Sequence, residues 1–235
     1  DRAQALDQMH LGGSAATAEL AALVGLAGRE RVLDIGSGLG GPARDLAFRH
    51  SCVVTRLDAS DELLLAAWVL DEVLTAERGT QVRGMASALP FVRASFDVCW
   101  LQHVGMNVQA KETLYGEAFR VLRPGGRLAI HEIVSLGAGP GYPTPWAQTA
   151  EESYLADPAE MRALLTRAGF EIEQWVDVTE SAREWLVELM PKVRKRPAFS
   201  PILTLGPMWP VMMENLLDGL SRGLISVVMA VARRS

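Results

Sequence analysis

Cysteine is nearly absent: Cys52 and Cys99 are the only two in 235 residues, each inside an apolar, strand-like run. Thiols so placed read as buried small hydrophobes rather than a disulfide or metal pair, and they point to a reducing cytoplasm. Four histidines without compact ligand spacing give a metal site little support. No apolar stretch reaches the roughly 18 residues expected of a membrane span. No basic-plus-apolar leader is visible, and an opening aspartate in place of methionine suggests trimming. Positive charge is also short. With 23 Lys and Arg against 28 Asp and Glu, the net charge of −5 gives no field to gather nucleic acid or an anionic membrane. The 49% hydrophobic content suits one globular domain, expected over 1–235, with a large core. A small-molecule partner is therefore expected, for a monomer or homodimer.

Apolar runs at 31–35, 53–57, 96–101 and 127–134 alternate with helical patterns at 43–50, 62–77 and 111–122. Such alternation predicts an α/β fold with a doubly wound, mostly parallel sheet, because near-continuous apolarity is what strands covered on both faces require. Further along, 170–179 reads as a strand, 182–190 as a helix and 224–231 as a final strand. Ser14 is expected to cap an apolar-periodic helix over 15–26. Asp157 before Pro158 is expected to cap a helix ending near Ala168. The segment at about 137–160, which opens rich in glycine and proline, and the stretch 190–222 are expected to cover the substrate.

The densest information lies in Val32 to Arg44, Val-Leu-Asp-Ile-Gly-Ser-Gly-Leu-Gly-Gly-Pro-Ala-Arg, a buried strand turning on glycines into a helix. Glycines there allow close approach of a nucleotide-like ligand to the backbone. As a bare pattern, Gly36-x-Gly38-x-x-Gly41 with Asp58 downstream also fits a dinucleotide-binding fingerprint. Asp34 separates the readings. A carboxylate two residues before the first glycine repels phosphate and suits a cationic ligand, such as the ammonium and sulfonium of S-adenosylmethionine.

Four further segments stand in order behind this turn: Leu57-Asp58-Ala59-Ser60, Gly84–Phe91, Ser95–His103 and Leu122-Arg123-Pro124-Gly125-Gly126-Arg127-Leu128. Taken together, from about Gly12 to Val134, the chain resembles the class I S-adenosylmethionine-dependent methyltransferases. That resemblance implies a Rossmann-like, seven-stranded sheet with a lid over the active site, residues 1–14 serving as the N-terminal lid segment, an ordinary surface loop before a packing helix being the alternative. It implies S-adenosylmethionine as the cofactor, with Asp34, Gly36, Ser37 and Gly38 around its methionine portion together with Leu101 and Gln102. Asp58 matches the residue that holds the ribose hydroxyls, a capping or solvated aspartate being the alternative. Ala59 and Ser60 are placed beside adenine or ribose. Similar sequences often carry aspartate where Met85 stands; here Met85 is expected to pack on the adenine plane, the Ala86 amide to read a ring nitrogen and Ser87 to act as a substitute polar partner.

For catalysis, His103 is the leading proton acceptor near neutral pH, followed by His131 and Glu132. Natural-product sugar O-methyltransferases, which the chain resembles in these two regions, use a histidine near the first position and a carboxylate near the second. His103 can equally cap the next helix or bond a carbonyl, and strand alternation points only one of His131 and Glu132 inward. His10 is a third candidate, facing substrate from the lid. Tyr142, Trp146, Tyr154, Met208, Trp209 and Met212 are expected to form an adaptable apolar wall for a polyketide-, isoprenoid- or glycoside-like acceptor, core packing or a dimer contact being equally open for the Met-rich stretch. The basic run at 192–196 reads as a solvated loop. Patterns shared with sarcosine and dimethylglycine N-methyltransferases and tocopherol C-methyltransferases leave oxygen, nitrogen and carbon open as the methylated atom. Two other readings stand beside this one: a methyltransferase-like scaffold that catalyses a cyclisation or another pocket reaction, and, more remotely, a nicotinamide-dependent oxidoreductase.

Overall fold

A computed structural model describes residues 7–74, 76, 79–194 and 206–235. Seven strands form one sheet: β1 (Arg31–Ile35), β2 (Val53–Asp58), β3 (Thr80–Arg83), β4 (Phe96–Gln102), β5 (Leu122–Ser135), β6 (Phe170–Asp177) and β7 (Ile225–Arg234). Their order is β3-β2-β1-β4-β5-β7-β6. The first five pair in parallel, whereas β7 runs antiparallel to both β5 and β6. This is the doubly wound, mostly parallel sheet expected from the sequence.

Helices α1 (Gly13–Val24), α2 (Gly41–His50), α3 (Asp61–Val73), α4 (Lys111–Val121), α5 (Pro158–Arg167), α6 (Thr179–Arg194) and α7 (Trp209–Ser221) accompany the strands, with short 3-10 turns at Gly105–Asn107 and Ala150–Glu152. The sheet carries a core on each face, as strand alternation demands. Along β4, Val98 and Trp100 enter the cluster that includes Leu20 of α1 and Leu46 of α2. Cys99 and Leu101 enter the other, with Leu114 and Tyr115 of α4. Neighbouring strands keep this register: Asp34 pairs with Arg56 and Trp100, and Gln102 with His131. One face of the sheet therefore collects Asp34, Arg56, Trp100, Gln102 and His131.

Several boundaries depart from the sequence reading. The short edge strand β3, Thr-Gln-Val-Arg, is half-exposed and lacks an apolar face to announce it. α3 stops at Val73, and Glu77, where the pattern was expected to end, lies outside the described residues. Ser14 is not the cap of α1. That helix starts after Gly12 in a left-handed conformation, and the Ser14 hydroxyl instead donates to Asp45 Oδ2 at 2.6 Å. Asp157 does cap α5, accepting the Glu160 N–H at 2.8 Å. The basic run begins inside α6 at Lys192 rather than in a loop, while Lys195 and Arg196 lie outside the described residues, as do parts of the expected covering segments at 1–6 and 195–205.

Candidate active site

At the carboxyl end of β1 the chain turns through Gly36, whose φ of +71° a side chain would strain. A Cβ there would also lie 2.5 Å from Val104, so this glycine lets the turns after β1 and β4 touch. The Gly36 and Ser37 N–H groups both donate to Leu57 O, at 2.7 and 3.0 Å. Asp58 ties the same turn to the next, its two carboxylate oxygens accepting the Gly38 N–H at 2.8 Å and the Ser60 N–H at 2.9 Å. Both readings of Asp58 thus meet in one residue: it caps locally, and each oxygen keeps a lone pair for a ligand. Ser60 is committed to helix capping, accepting the Leu63 N–H at 3.1 Å, and its hydroxyl donates to Glu62.

Asp34 is buried, and its Oδ2 has no hydrogen-bond partner among the described residues; the same holds for Ser37 Oγ. Burial pushes the Asp34 carboxyl up to about 7, with the Asp58 charge adding to that effect and Arg56 and Arg44 opposing it. A buried acceptor without a donor, beside a glycine turn, is a place for a cationic or donor-rich group. At Gly38 the space where a Cβ would stand is open.

Beneath the turn lies an ion network not anticipated from the sequence. Arg44 binds Asp71 Oδ1 at 2.7 Å and Asp7 Oδ2 at 2.8 Å, and Arg56 also binds Asp71. Asp71 and Arg56 are almost fully buried, so each neutralises a charge the core could not otherwise hold. The signal was present: Arg56 interrupts an apolar strand and Asp71 an apolar helix, with opposite signs. Through Asp7 to Arg44, and Gln8 and Ser14 to Asp45, residues 7–14 are pinned along α2, and they carry His10 to His103 and His131.

Three buried or half-buried histidines converge there. The His103 and His131 rings lie 4.8 Å apart between centroids, with His10 at 6.1 and 5.9 Å from them. His103 takes a left-handed backbone conformation (φ +56°), an uncommon state for a residue with a Cβ and one that clusters at functional sites. Its N–H donates to His131 O at 2.8 Å, while its Nε2 is sealed from solvent without a partner among the described residues. Burial holds His10 down at about 4 and lowers His103 and His131 well below the usual imidazole range, so all three are neutral at pH 7. Among the described residues no group of three His, Cys, Asp or Glu is arranged to hold a metal ion.

Glu132 points to the opposite face from His131 and does not join this cluster. Its Oε1 accepts the N–H groups of Val104 at 2.9 Å and Gly105 at 2.7 Å, clamping the backbone just after His103. Burial raises its carboxyl, partly offset by those N–H groups and by Lys111, whose Nζ donates to Gly105 O and Val108 O. Gln102, expected at the cofactor's methionine portion with Leu101, spends its amide within the protein: Trp100 Nε1 donates to its oxygen at 2.9 Å and its nitrogen meets His131 Nδ1 at 3.1 Å. Leu101 is core.

Met85 stands 59% exposed at the start of a turn closed by Ala88 N–H to Met85 O, with Ala86 and Ser87 at its tip. Of the expected acceptor wall, Trp209 and Met212 are buried and Trp209 joins the Trp100 cluster, so core packing is realised for these two; Met208 is exposed. Trp146 packs partly on that cluster and donates to Ser153, Tyr154 donates its N–H to Met106 O, and Tyr142 remains half-buried.

Residues 33–130 match the sequence model of the methyltransferase domain family. The chain is 33% identical over 116 residues to a sterol 24-C-methyltransferase of Eremothecium gossypii, covering 49% of this chain and 31% of that protein. It is 30% identical over 174 residues to the 27-O-demethylrifamycin SV methyltransferase of Amycolatopsis mediterranei, covering 71% and 63%. It thus spans less than two thirds of either relative's length. Among solved structures, the [4+2]-cyclase SpnF superposes with a TM-score of 0.77 at 24% identity, covering 97% of this chain and 84% of that one. Residues 33–130 thus carry the likeness to the methyltransferase domain family, and the whole chain shares its fold with the solved structure it superposes on.

Proposed function

We propose that this protein transfers the methyl group of S-adenosylmethionine to an oxygen, nitrogen or carbon of a mostly apolar small molecule in natural-product biosynthesis. The observation that carries this reading is the buried Asp34 carboxyl, whose Oδ2 has no partner among the described residues, at a glycine turn that touches Val104, the residue after His103. A cation-seeking cradle and an imidazole whose Nε2 has no partner among the described residues are thereby held side by side.

S-adenosylmethionine supplies a methyl group on a sulfonium, open to in-line displacement. Asp34 and Ser37 offer acceptor oxygens to its ammonium end, and the spare Asp58 lone pairs suit a vicinal diol. Met85 offers an apolar surface to adenine. Holding the acceptor near the methyl carbon can provide much of the acceleration, up to several kcal/mol. When the acceptor is a hydroxyl or carbon acid, its proton passes to His103 Nε2, giving an imidazolium that returns the proton to water. Glu132 acts as a positioning residue for that loop. Residues 7–14, anchored to Arg44 and Asp45, serve as the covering strap, and the names of the relatives, a sterol and a rifamycin enzyme, support an apolar acceptor. Cys52 and Cys99, both buried and free, suit a reducing cytoplasm; among the described residues no helix is long and apolar enough to cross a membrane.

The test is incubation of the protein with deuteromethyl-labelled S-adenosylmethionine and a panel of hydroxylated polyketides and isoprenoids, read by mass spectrometry. Labelled product in step with S-adenosylhomocysteine is expected. Acceptor consumed while S-adenosylmethionine stays intact would contradict it and favour the scaffold reading, which the apolar Met85 at the adenine position keeps in view.

A further inference from the structure

Two of the three clustered histidines have their protons fixed by partners that can play only one role. The indole of Trp100 is a donor and nothing else, so the Gln102 oxygen must be the end that faces it, 2.9 Å away. The amide nitrogen then faces His131 Nδ1 at 3.1 Å. An amide NH₂ offers only hydrogens, so that Nδ1 carries a lone pair and the His131 proton resides on Nε2. His10 is fixed in the same manner: its Nε2 lies 3.0 Å from Gly13 O, which only accepts, so this nitrogen is the protonated one. The Thr17 hydroxyl, 3.1 Å from the same nitrogen, is left to donate towards the Gln8 and Gln102 oxygens, each at 3.4 Å. Trp100, Gln102 and His131 are buried, so no water competes for these bonds. His103 Nε2 is buried with no partner among the described residues to dictate its state.

We propose that Trp100 and Gln102 are positioning residues that lock His131 as a neutral Nε2–H donor, leaving His103 as the proton acceptor, and that the site is built for a hydroxyl oxygen. This rests on the methyl-transfer reading. A nucleophilic oxygen has a lone pair for the methyl carbon and another for the His131 Nε2–H, and its proton goes to His103. An amine has one lone pair, which the reaction consumes, and a carbon nucleophile has none to spare. The O–C bond forms as the C–S bond breaks, the electron pair stays on sulfur, and His103 holds the proton.

The experiment is long-range proton–nitrogen NMR on the full chain labelled with ¹⁵N-histidine, the His131 signals being assigned by their loss in His131→Asn. Wild-type His131 is expected to show a protonated Nε2 and an unprotonated Nδ1 at neutral pH. In Gln102→Glu the carboxylate can still accept from Trp100 but can no longer donate, so His131 should move its proton to Nδ1 or gain a second one. Turnover in that variant should fall about tenfold or more while affinity for S-adenosylmethionine stays within about twofold. A wild-type His131 that is protonated on Nδ1, or unchanged signals in Gln102→Glu, overturns the assignment; the wild-type spectrum alone decides should the variant not fold. The spectrum needs no turnover, so its failure is separate from a failure of methyl transfer. With ¹³C-methyl donor, the shift of the transferred carbon is expected to be that of an O-methyl group, and an N- or C-methyl product would overturn the hydroxyl assignment.

Discussion

The glycine turn and the histidine cluster lie towards the same end of the central strands β1, β4 and β5 yet are constructed in opposite ways. The turn is nearly contiguous: residues 34–38 carry it, with Asp58 from the adjacent strand. The cluster is assembled from residues 10, 103 and 131, and from Thr17, Trp100 and Gln102 that orient them. A binding function that uses backbone and one carboxylate can be written locally. A proton-handling function needs groups from several elements whose partners set each tautomer.

If the division is real, His103→Ala should cause the largest loss, about 10²–10⁴-fold in turnover for a hydroxyl or carbon acceptor, with binding of S-adenosylmethionine unchanged. Steady-state kinetics beside a binding titration checks this, and near-normal turnover would remove the base from the account. Asp34→Asn should do the reverse, weakening S-adenosylmethionine by roughly tenfold to a hundredfold through loss of a charge-assisted contact.

The same variant should change stability in a pH-dependent direction. Because burial holds the Asp34 carboxyl at about 7, above its ordinary 3.8, the folded protein keeps a proton that the unfolded chain has released. That contribution is complete below 3.8 and is lost as pH rises towards 7. Asp34→Asn lacks this slope, so its thermal midpoint should gain on wild type between pH 5 and pH 8, as measured by calorimetry. A constant difference would mean that Asp34 is not held protonated.

The smallest effect belongs to Met85, exposed on its turn. Met85→Asp should tighten S-adenosylmethionine by about two- to tenfold, one hydrogen bond to the adenine amino group, in a direct titration. No gain would place adenine elsewhere.

Legibility in the sequence followed the same division. Strands β1, β2, β4, β5 and β7 were readable because they are mostly buried on both faces and apolar residues dominate their runs, even where Asp34 or Arg56 interrupts them. β3 was not, since an exposed edge strand needs no such run. Asp34 was readable from its position before the glycines, and His103 from its place after a strand. The convergence of His10 on that site, the Trp100–Gln102–His131 chain and the Asp7–Arg44–Asp71–Arg56 network depend on register and on how residues 7–14 cross α2. Nothing in local periodicity encodes those distances. Glu132 shows the limit most clearly, because alternation left two candidates and only the packing put His131 with the histidines and Glu132 against the backbone of Val104 and Gly105.

The most direct test of the central claim, that Asp34 at the glycine turn holds the cationic end of S-adenosylmethionine, is calorimetric titration near pH 6 in two buffers of different ionisation enthalpy. Below its pKa of about 7 the Asp34 carboxyl is largely protonated, and the cation requires it ionised. Wild type is therefore predicted to release close to one proton per S-adenosylmethionine bound, and Asp34→Asn to release none. Absence of binding, or proton release that survives in Asp34→Asn, would contradict the account.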